Sequence, residues 1–112
     1  MVKQSEDNKR TQPRYKITLE VTISGVNKNF KAQTQDLSKT GMFLKTTKKF
    51  IVDEFLDIVI EINPLGSQIE ILGKVVHQVP GYGVGIRFIE YKDNAKKMVD
   101  TLIEYAQSFQ SE

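Results

Sequence analysis

Residues 15–24 read YKITLEVTIS, and there Tyr15, Ile17, Leu19, Val21 and Ile23 alternate without a break with polar partners. A period of two puts five apolar side chains on one face of an extended chain and leaves the other face to water, the pattern of a half-buried strand. The same period returns downstream. FKAQTQ (30–35) reads as a second strand, which DLSKTG (36–41) breaks before MFLKT (42–46) resumes as a third. FLDIVIEI (55–62) sets Leu56, Ile58, Ile60 and Ile62 in register as a fourth. QIEILGKVVHQV (68–79) makes a long fifth, in which Gly73 marks a bulge or sharp bend. VGIRFIE (84–90) forms a sixth, with Val84, Ile86 and Phe88 inward. SGVNKN, NPLGS and PGYG supply turns between them. Six short strands with no helical interruption predict an all-β fold, an antiparallel meander or small barrel, rather than a parallel sheet.

The period changes near the end. From Asp93, Met98, Leu102, Tyr105 and Phe109 recur at three- and four-residue spacing, and Val99, Ile103 and Ala106 widen the stripe. This predicts an amphipathic helix over about 93–109, capped by Asp93 or Asn94 and laid over an open end or face of the sheet. At the other end, residues 1–13 contain almost nothing that could be buried and read as a flexible arm. The barrel and its helix then occupy 14–112.

Composition narrows the function. A chain of 112 residues holds one modest core, and 39% hydrophobic with 27% charged residues is ordinary for a globular domain. A net charge of +2 is too small for bulk attraction to nucleic acid or an anionic membrane, so any recognition of an anion has to be local. No cysteine is present, which removes disulfides, thiolate metal sites and thiol nucleophiles. The hydrophilic start and the lack of a transmembrane-length apolar run make a cytoplasmic protein the expectation. Chemistry that would mark an enzyme is missing. His77 is the one histidine, the carboxylates are scattered without metal-ligand spacing, and GYGVG lacks the lysine and helix of a phosphate loop. The reading is of a non-enzyme with no metal site and no cofactor.

Two short motifs remain. Of 16 basic residues only Arg10, Arg14 and Arg87 are arginine, and the first two sit four apart in KRTQPRY (9–15). Pro13 disfavours helix at Gln12. In an extended chain residues four apart face the same way, with Cα atoms at most about 13–14 Å apart. Arginine offers what lysine does not, a planar fork that pairs bidentately with phosphate or a guanine edge and stacks on a base. In DLSKTG, Asp36 and Ser38 are two apart and project together if they end a strand. Gly41 suits a positive φ or a backbone that something must approach closely. A carboxylate accepts from guanine N1–H and N2–H, and a hydroxyl serves phosphate or base. Together the motifs suit a ligand carrying both guanine and phosphate.

R-x-x-x-R at Arg10 and Arg14, followed by D-x-S-x-x-G at Asp36, Ser38 and Gly41, resembles the signature of PilZ domains, and GVGIRF (83–88) is similar to the family's last strand. The resemblance runs from about Lys9 to the C-terminus. It implies a six-stranded antiparallel PilZ-type barrel with a C-terminal helix, binding the bacterial second messenger cyclic di-GMP. It further implies that Arg10 and Arg14 engage phosphates and guanines, that Asp36 and Ser38 contact guanine, and that Gly41 keeps the loop open. Lys9 and His77 are auxiliary candidates, for a phosphate contact and for stacking. With no other domain in the chain, output would pass to an unidentified effector protein, through an arm that orders on ligand binding, from a monomer or homodimer. Two alternatives stand beside this reading. One is a PilZ-like interaction module that binds no nucleotide. The other is a small barrel for single-stranded nucleic acid, disfavoured because most of the ten aromatics fall on inward positions or the helix stripe.

Overall fold

The alternation that starts at Tyr15 becomes a continuous ladder only at Glu20. The structure, a computed structural model, describes residues 13–25, 28–62 and 67–110, with the side chains of all but 28, 109 and 110. The expected arm up to residue 12 and the tips of the SGVNKN and NPLGS turns lie outside the described residues. Six strands are present: β1 (Glu20–Gly25), β2 (Lys28–Leu37), β3 (Gly41–Lys45), β4 (Phe55–Ile62), β5 (Ser67–Val79) and β6 (Gly83–Tyr91). All pair antiparallel and close in the order β1-β2-β3-β6-β5-β4. The expected barrel is therefore the observed fold.

The first strand is shorter than its sequence pattern. β2 slips register between Thr34 and Asp36, so one extra residue, Gln35, interrupts the ladder. Ahead of the slip, Thr34 takes over the backbone groups that a partner strand would satisfy. Its amide donates to the Leu19 carbonyl at 3.0 Å, its hydroxyl accepts from the Leu19 amide at 2.9 Å, and the same hydroxyl donates to the Ile17 carbonyl. Beyond it Tyr15 and Leu37 exchange amide bonds of 2.9 and 3.0 Å. Burial still alternates here: Tyr15, Ile17 and Leu19 are half-buried and Lys16 and Thr18 exposed. The sequence pattern reports which side faces the core, not which residues carry ladder bonds.

Inward positions of all six strands, including Val21, Leu37, Met42, Ile58, Ile71 and Ile86, form one core. Gly73 lies at the expected irregularity, a register shift between Leu72 and Gly73 whose extra residue is Ile89 of the facing β6. A Cβ there would sit 2.6 Å from Ile86 Cγ2 and 2.7 Å from Ile58 Cδ1, so the glycine lets two core side chains meet across the bulge. A second shift, between Val75 and His77, leaves Val76 outward as its parity requires and turns His77 outward beside it.

The helix α1 (Ala95–Gln110) begins right after Asn94, whose carbonyl accepts from Met98, while Asp93 turns the chain at φ 51°. Ala95, Val99 and Ile103 join the barrel core, which a helix outside a closed barrel reaches through an open end. Ala106 is buried with them, and Met98 and Leu102 flank the contact. Tyr105, expected on this face, is 63% exposed. At 100° per residue it stands roughly 120° around the helix from Val99, past the edge of the buried sector. No helix among the described residues is long and apolar enough to cross a membrane.

Thr34→Val should cost about 1–3 kcal/mol, because it strands two backbone groups of residues 17 and 19 without a partner. A thermal scan should show this as a fall of roughly 5–15 °C in Tm. An unchanged Tm would mean that the hydroxyl does not hold this segment.

Candidate ligand-binding site

DLSKTG forms a turn held by nearly every polar group it owns. Ser38, 2% exposed, accepts through its hydroxyl oxygen from the amides of Gly41 at 3.1 Å and Thr40 at 3.2 Å, and its own amide donates to the Gly41 carbonyl at 2.9 Å. The Thr40 carbonyl accepts from the Phe88 amide at 2.8 Å, and the Lys39 carbonyl from the Tyr91 hydroxyl at 2.9 Å. Ser38 thus braces the turn from inside rather than lying open beside it. Gly41 is needed for close approach and not for a positive φ, which among the described residues belongs to Asp53, Asp93 and Gly81. A Cβ on Gly41 would run into the Ile86 carbonyl, because β3 and β6 meet there without a side chain between them.

Outside this braced turn, one row of the barrel surface gathers the functional groups. Asp36 stands opposite Phe43, Phe43 opposite Gly85, and Gly85 opposite His77. Residues opposed in register share a face, so all four positions look outward, away from the core. The Phe43 and His77 rings stack at 5.9 Å with 29° between planes, and Tyr82 lies 5.7 Å from Phe43. They lie flat because β6 offers bare backbone beneath them. A Cβ on Gly83 would sit 2.7 Å from Phe43 Cζ, and one on Gly85 2.7 Å from His77 Nδ1. The Tyr82 hydroxyl donates to Gln35 at the β2 bulge and pins the slab at its outer side. Arg87, two residues beyond Gly85 on the same face, is exposed, stands opposite Gly41 and Lys74, and has no ion pair among the described residues.

Arg14 completes the row. The Tyr15–Leu37 bridge brings it beside Asp36, where Arg14 Nη1 meets Asp36 Oδ1 at 2.6 Å. The two side chains are 49% and 20% exposed. The contact engages one guanidinium nitrogen and one carboxylate oxygen, and neither group bonds any other described residue. Among the described residues, then, the fork and the carboxylate each make one contact, with donors and an acceptor to spare. Of the expected site residues, the structure brings Arg14, Asp36 and His77 onto one surface, and sets Ser38 and Gly41 beneath and beside it. Arg10 and Lys9 lie outside the described residues.

Phe43, Tyr82, Arg87 and Tyr91 were not singled out by sequence reasoning. The signal for Phe43 was there: Met42 and Leu44 point inward, so parity sends the aromatic between them outward. Most of the ten aromatics fall, as expected, on inward positions or the helix stripe; Phe55 and Tyr82, at 51 and 49% exposed, do not, and Tyr105 of that stripe is 63% exposed. An aromatic slab beside a cationic fork and a carboxylate acceptor suits a planar hydrogen-bonding ring that carries anionic oxygens.

The PilZ domain family model matches residues 8–105. No curated protein sequence matches the chain significantly. Among solved structures, the Bacillus subtilis inhibitor of motility MotI/DgrA superposes with a TM-score of 0.78 at 16% identity, over 92% of this chain and 53% of its own. This chain thus spans about half the length of that protein. The PilZ domain of Escherichia coli YcgR with c-di-GMP gives 0.69 at 13% identity, over 87% and 90%. Borreliella burgdorferi PlzA in complex with c-di-GMP gives 0.58 at 17% identity, over 88% and 45%. At these identities the likeness speaks for the fold.

Tyr91 offers a pH handle on the turn. Burial, and then the negative charge of Asp100, push its hydroxyl above the usual pKa of 10.0. A folded value above the unfolded one adds stability below pH 10 that is lost as pH rises through the folded value. Absorbance titration should show a tyrosine step above pH 10, and Tyr91→Phe should remove it.

Proposed function

The chain belongs to the PilZ domain family, and from that premise we propose that it is a receptor for cyclic di-GMP that passes the signal to a partner protein and is not a catalyst. The observation that carries the reading is the Arg14–Asp36 pair, standing at the end of the Phe43–His77 row and above the braced DLSKTG turn. Two of the similar structures, YcgR and PlzA, are described with c-di-GMP, which supports the choice of ligand. MotI is described as an inhibitor of motility, and control of motility or biofilm is the output this reading favours.

In this proposal the Arg14 fork turns its unused nitrogens to a phosphate or a guanine edge. Asp36 presents its second oxygen to guanine N1–H and N2–H, and a purine stacks toward Phe43 and His77. Arg87 supplies a further positive charge along the row. Ser38 acts mainly by keeping the turn, and hence Asp36, in position. Arg10 binds from the other side of the ligand, with Lys9 as a phosphate contact, and the segment ahead of Pro13 is drawn onto the barrel as it does so. Arg14 already sits against Asp36, so the change on binding concerns Arg10 and its neighbours more than Arg14. Each charge-assisted bond or stacking contact is worth about 1–3 kcal/mol, part of which is spent on ordering that segment. The repositioned segment is what a partner reads.

Isothermal titration with cyclic di-GMP tests the proposal. Arg14→Ala and Arg10→Ala should each weaken binding by about 100-fold or more, lysine at either site should not restore it, and Phe43→Ala or His77→Ala should cost roughly 10-fold. Because the Arg14–Asp36 pair is exposed, Arg14→Ala should change stability by no more than about 1 kcal/mol, which separates lost binding from lost fold. A parent protein that gives neither heat nor thermal stabilisation with the dinucleotide would leave the interaction module without a ligand as the better account.

A further inference from the structure

Arg87 is the third arginine of the chain, and the register gives it another cation for a neighbour. β6 lies between β3 and β5, and Arg87 stands opposite Gly41 on one side and Lys74 on the other. Like charges directly opposed across an antiparallel pair destabilise the sheet. The surrounding positions do little to offset this. Gly41 brings no side chain, because the Ile86 carbonyl occupies the space of a Cβ. Along β6, Gly85 two residues back is bare backbone, and the carboxylate of Glu90 lies past the slip at Ile89, opposite Leu72 rather than Lys74. Lys74 leans the other way, toward β4. Its ammonium sits 3.6 Å from Asp53 Oδ1 and 5.8 Å from the centre of the Phe55 ring, the residue opposite it on that strand. Asp53 is 75% exposed, so this ion pair is weak and gives way to a better anion.

These two cations flank the aromatic slab. At about 3.3 Å per residue, Arg87 stands roughly 7 Å along β6 from Gly85, the bare position over which His77 lies. The Arg14–Asp36 pair stands at the β2 end of the Asp36–Phe43–Gly85–His77 row, and Arg87 with Lys74 beside its β6–β5 end. Two cations together favour an anion over a neutral base edge, which gains little from the second charge. We propose that Arg87 and Lys74 form a further phosphate-binding point of the nucleotide site. Arg87 pairs its fork with two oxygens of a phosphodiester, and Lys74 leaves Asp53 to hold the same group as a point charge. The subsite rests on the cyclic di-GMP reading and adds a demand of its own. The opposed cations cost stability in the free protein, and a bound anion between them reverses the sign of that interaction.

Calorimetry with cyclic di-GMP and thermal scans of the free protein test this together. Arg87→Gln should weaken binding about 10-fold, and Lys74→Gln about 3-fold, the fork counting for more than the point charge. Without ligand, Arg87→Gln should hold its Tm or raise it. Arg87→Glu, which sets a carboxylate opposite Lys74, should raise that Tm by about 2–5 °C and weaken binding about 100-fold. Lys31→Gln removes the same charge from an exposed position of β2 opposite Thr22 and should leave binding unchanged. The number of molecules bound tells whether the phosphate belongs to one dinucleotide or to a second beside it, and either supports the subsite. Arg87 and Lys74 variants that bind within about 2-fold of the parent overturn it and leave the cyclic di-GMP reading standing. A Tm that falls in the free Arg87→Gln protein overturns it too, by giving Arg87 a structural role. A parent that binds no dinucleotide removes both.

Discussion

The pairing of β3 with β6 is the contact on which the rest of the molecule depends. These strands are far apart in sequence, and their ladder, from Gly41–Arg87 to Lys45–Gly83, joins the first half of the sheet to the second and closes the barrel. Close pairing here requires bare backbone. At Gly41 the Ile86 carbonyl takes the space of a Cβ, at Gly83 the Phe43 ring does, and at Gly85 the His77 ring. Gly83 meets both demands at once, since the Leu44 carbonyl and the Phe43 ring both occupy its Cβ space, while Gly41 serves the strand pairing and Gly85 seats His77. Fold and site share one steric requirement.

That sharing explains how the molecule can be rigid where it positions groups and open where it offers them. The DLSKTG turn uses its hydroxyl, amides and carbonyls internally, tied to Phe88 and Tyr91 of β6 as well as to itself. The Arg14–Asp36 pair, by contrast, is solvent-facing and joins one nitrogen to one oxygen among the described residues, and exposed pairs of that kind add little to stability. An exposed ion pair on a firm base can change partners without disturbing the core, which a receptor needs and a purely structural salt bridge does not. The β3–β4 loop follows the same rule: its backbone is pinned by Gln78 and Val75 while Ile51 faces solvent.

Much of this was readable in one dimension, and the gaps are informative. The β4 strand ends where its alternation ends, at Phe55 and Ile62, because both of its neighbours pair with it without a slip. β1 begins five residues later than its alternation, because the Gln35 bulge lies on another strand. Tyr105 was assigned to the wrong side of α1 because three- and four-residue spacing identifies a stripe but not its centre, which Ala95, Val99 and Ile103 define by contact with the barrel. Arg14 and Asp36 were singled out from separate motifs, but nothing local could show that residues 22 apart touch at 2.6 Å.

By itself, the sequence determined the period of each segment, the parity of each side chain, the six strands and the helix, and the two motifs that name the family. Those are short-range properties, set by backbone geometry and the separation of apolar from polar groups along a few residues. Only the tertiary structure decided the register between strands and the slips at Gln35, Ile89 and Val76. It likewise decided that Asp36, Phe43 and His77 form one row with Arg87 alongside. Register is a relation between distant strands, fixed by core packing and by where glycine permits contact, and no window of sequence contains both partners.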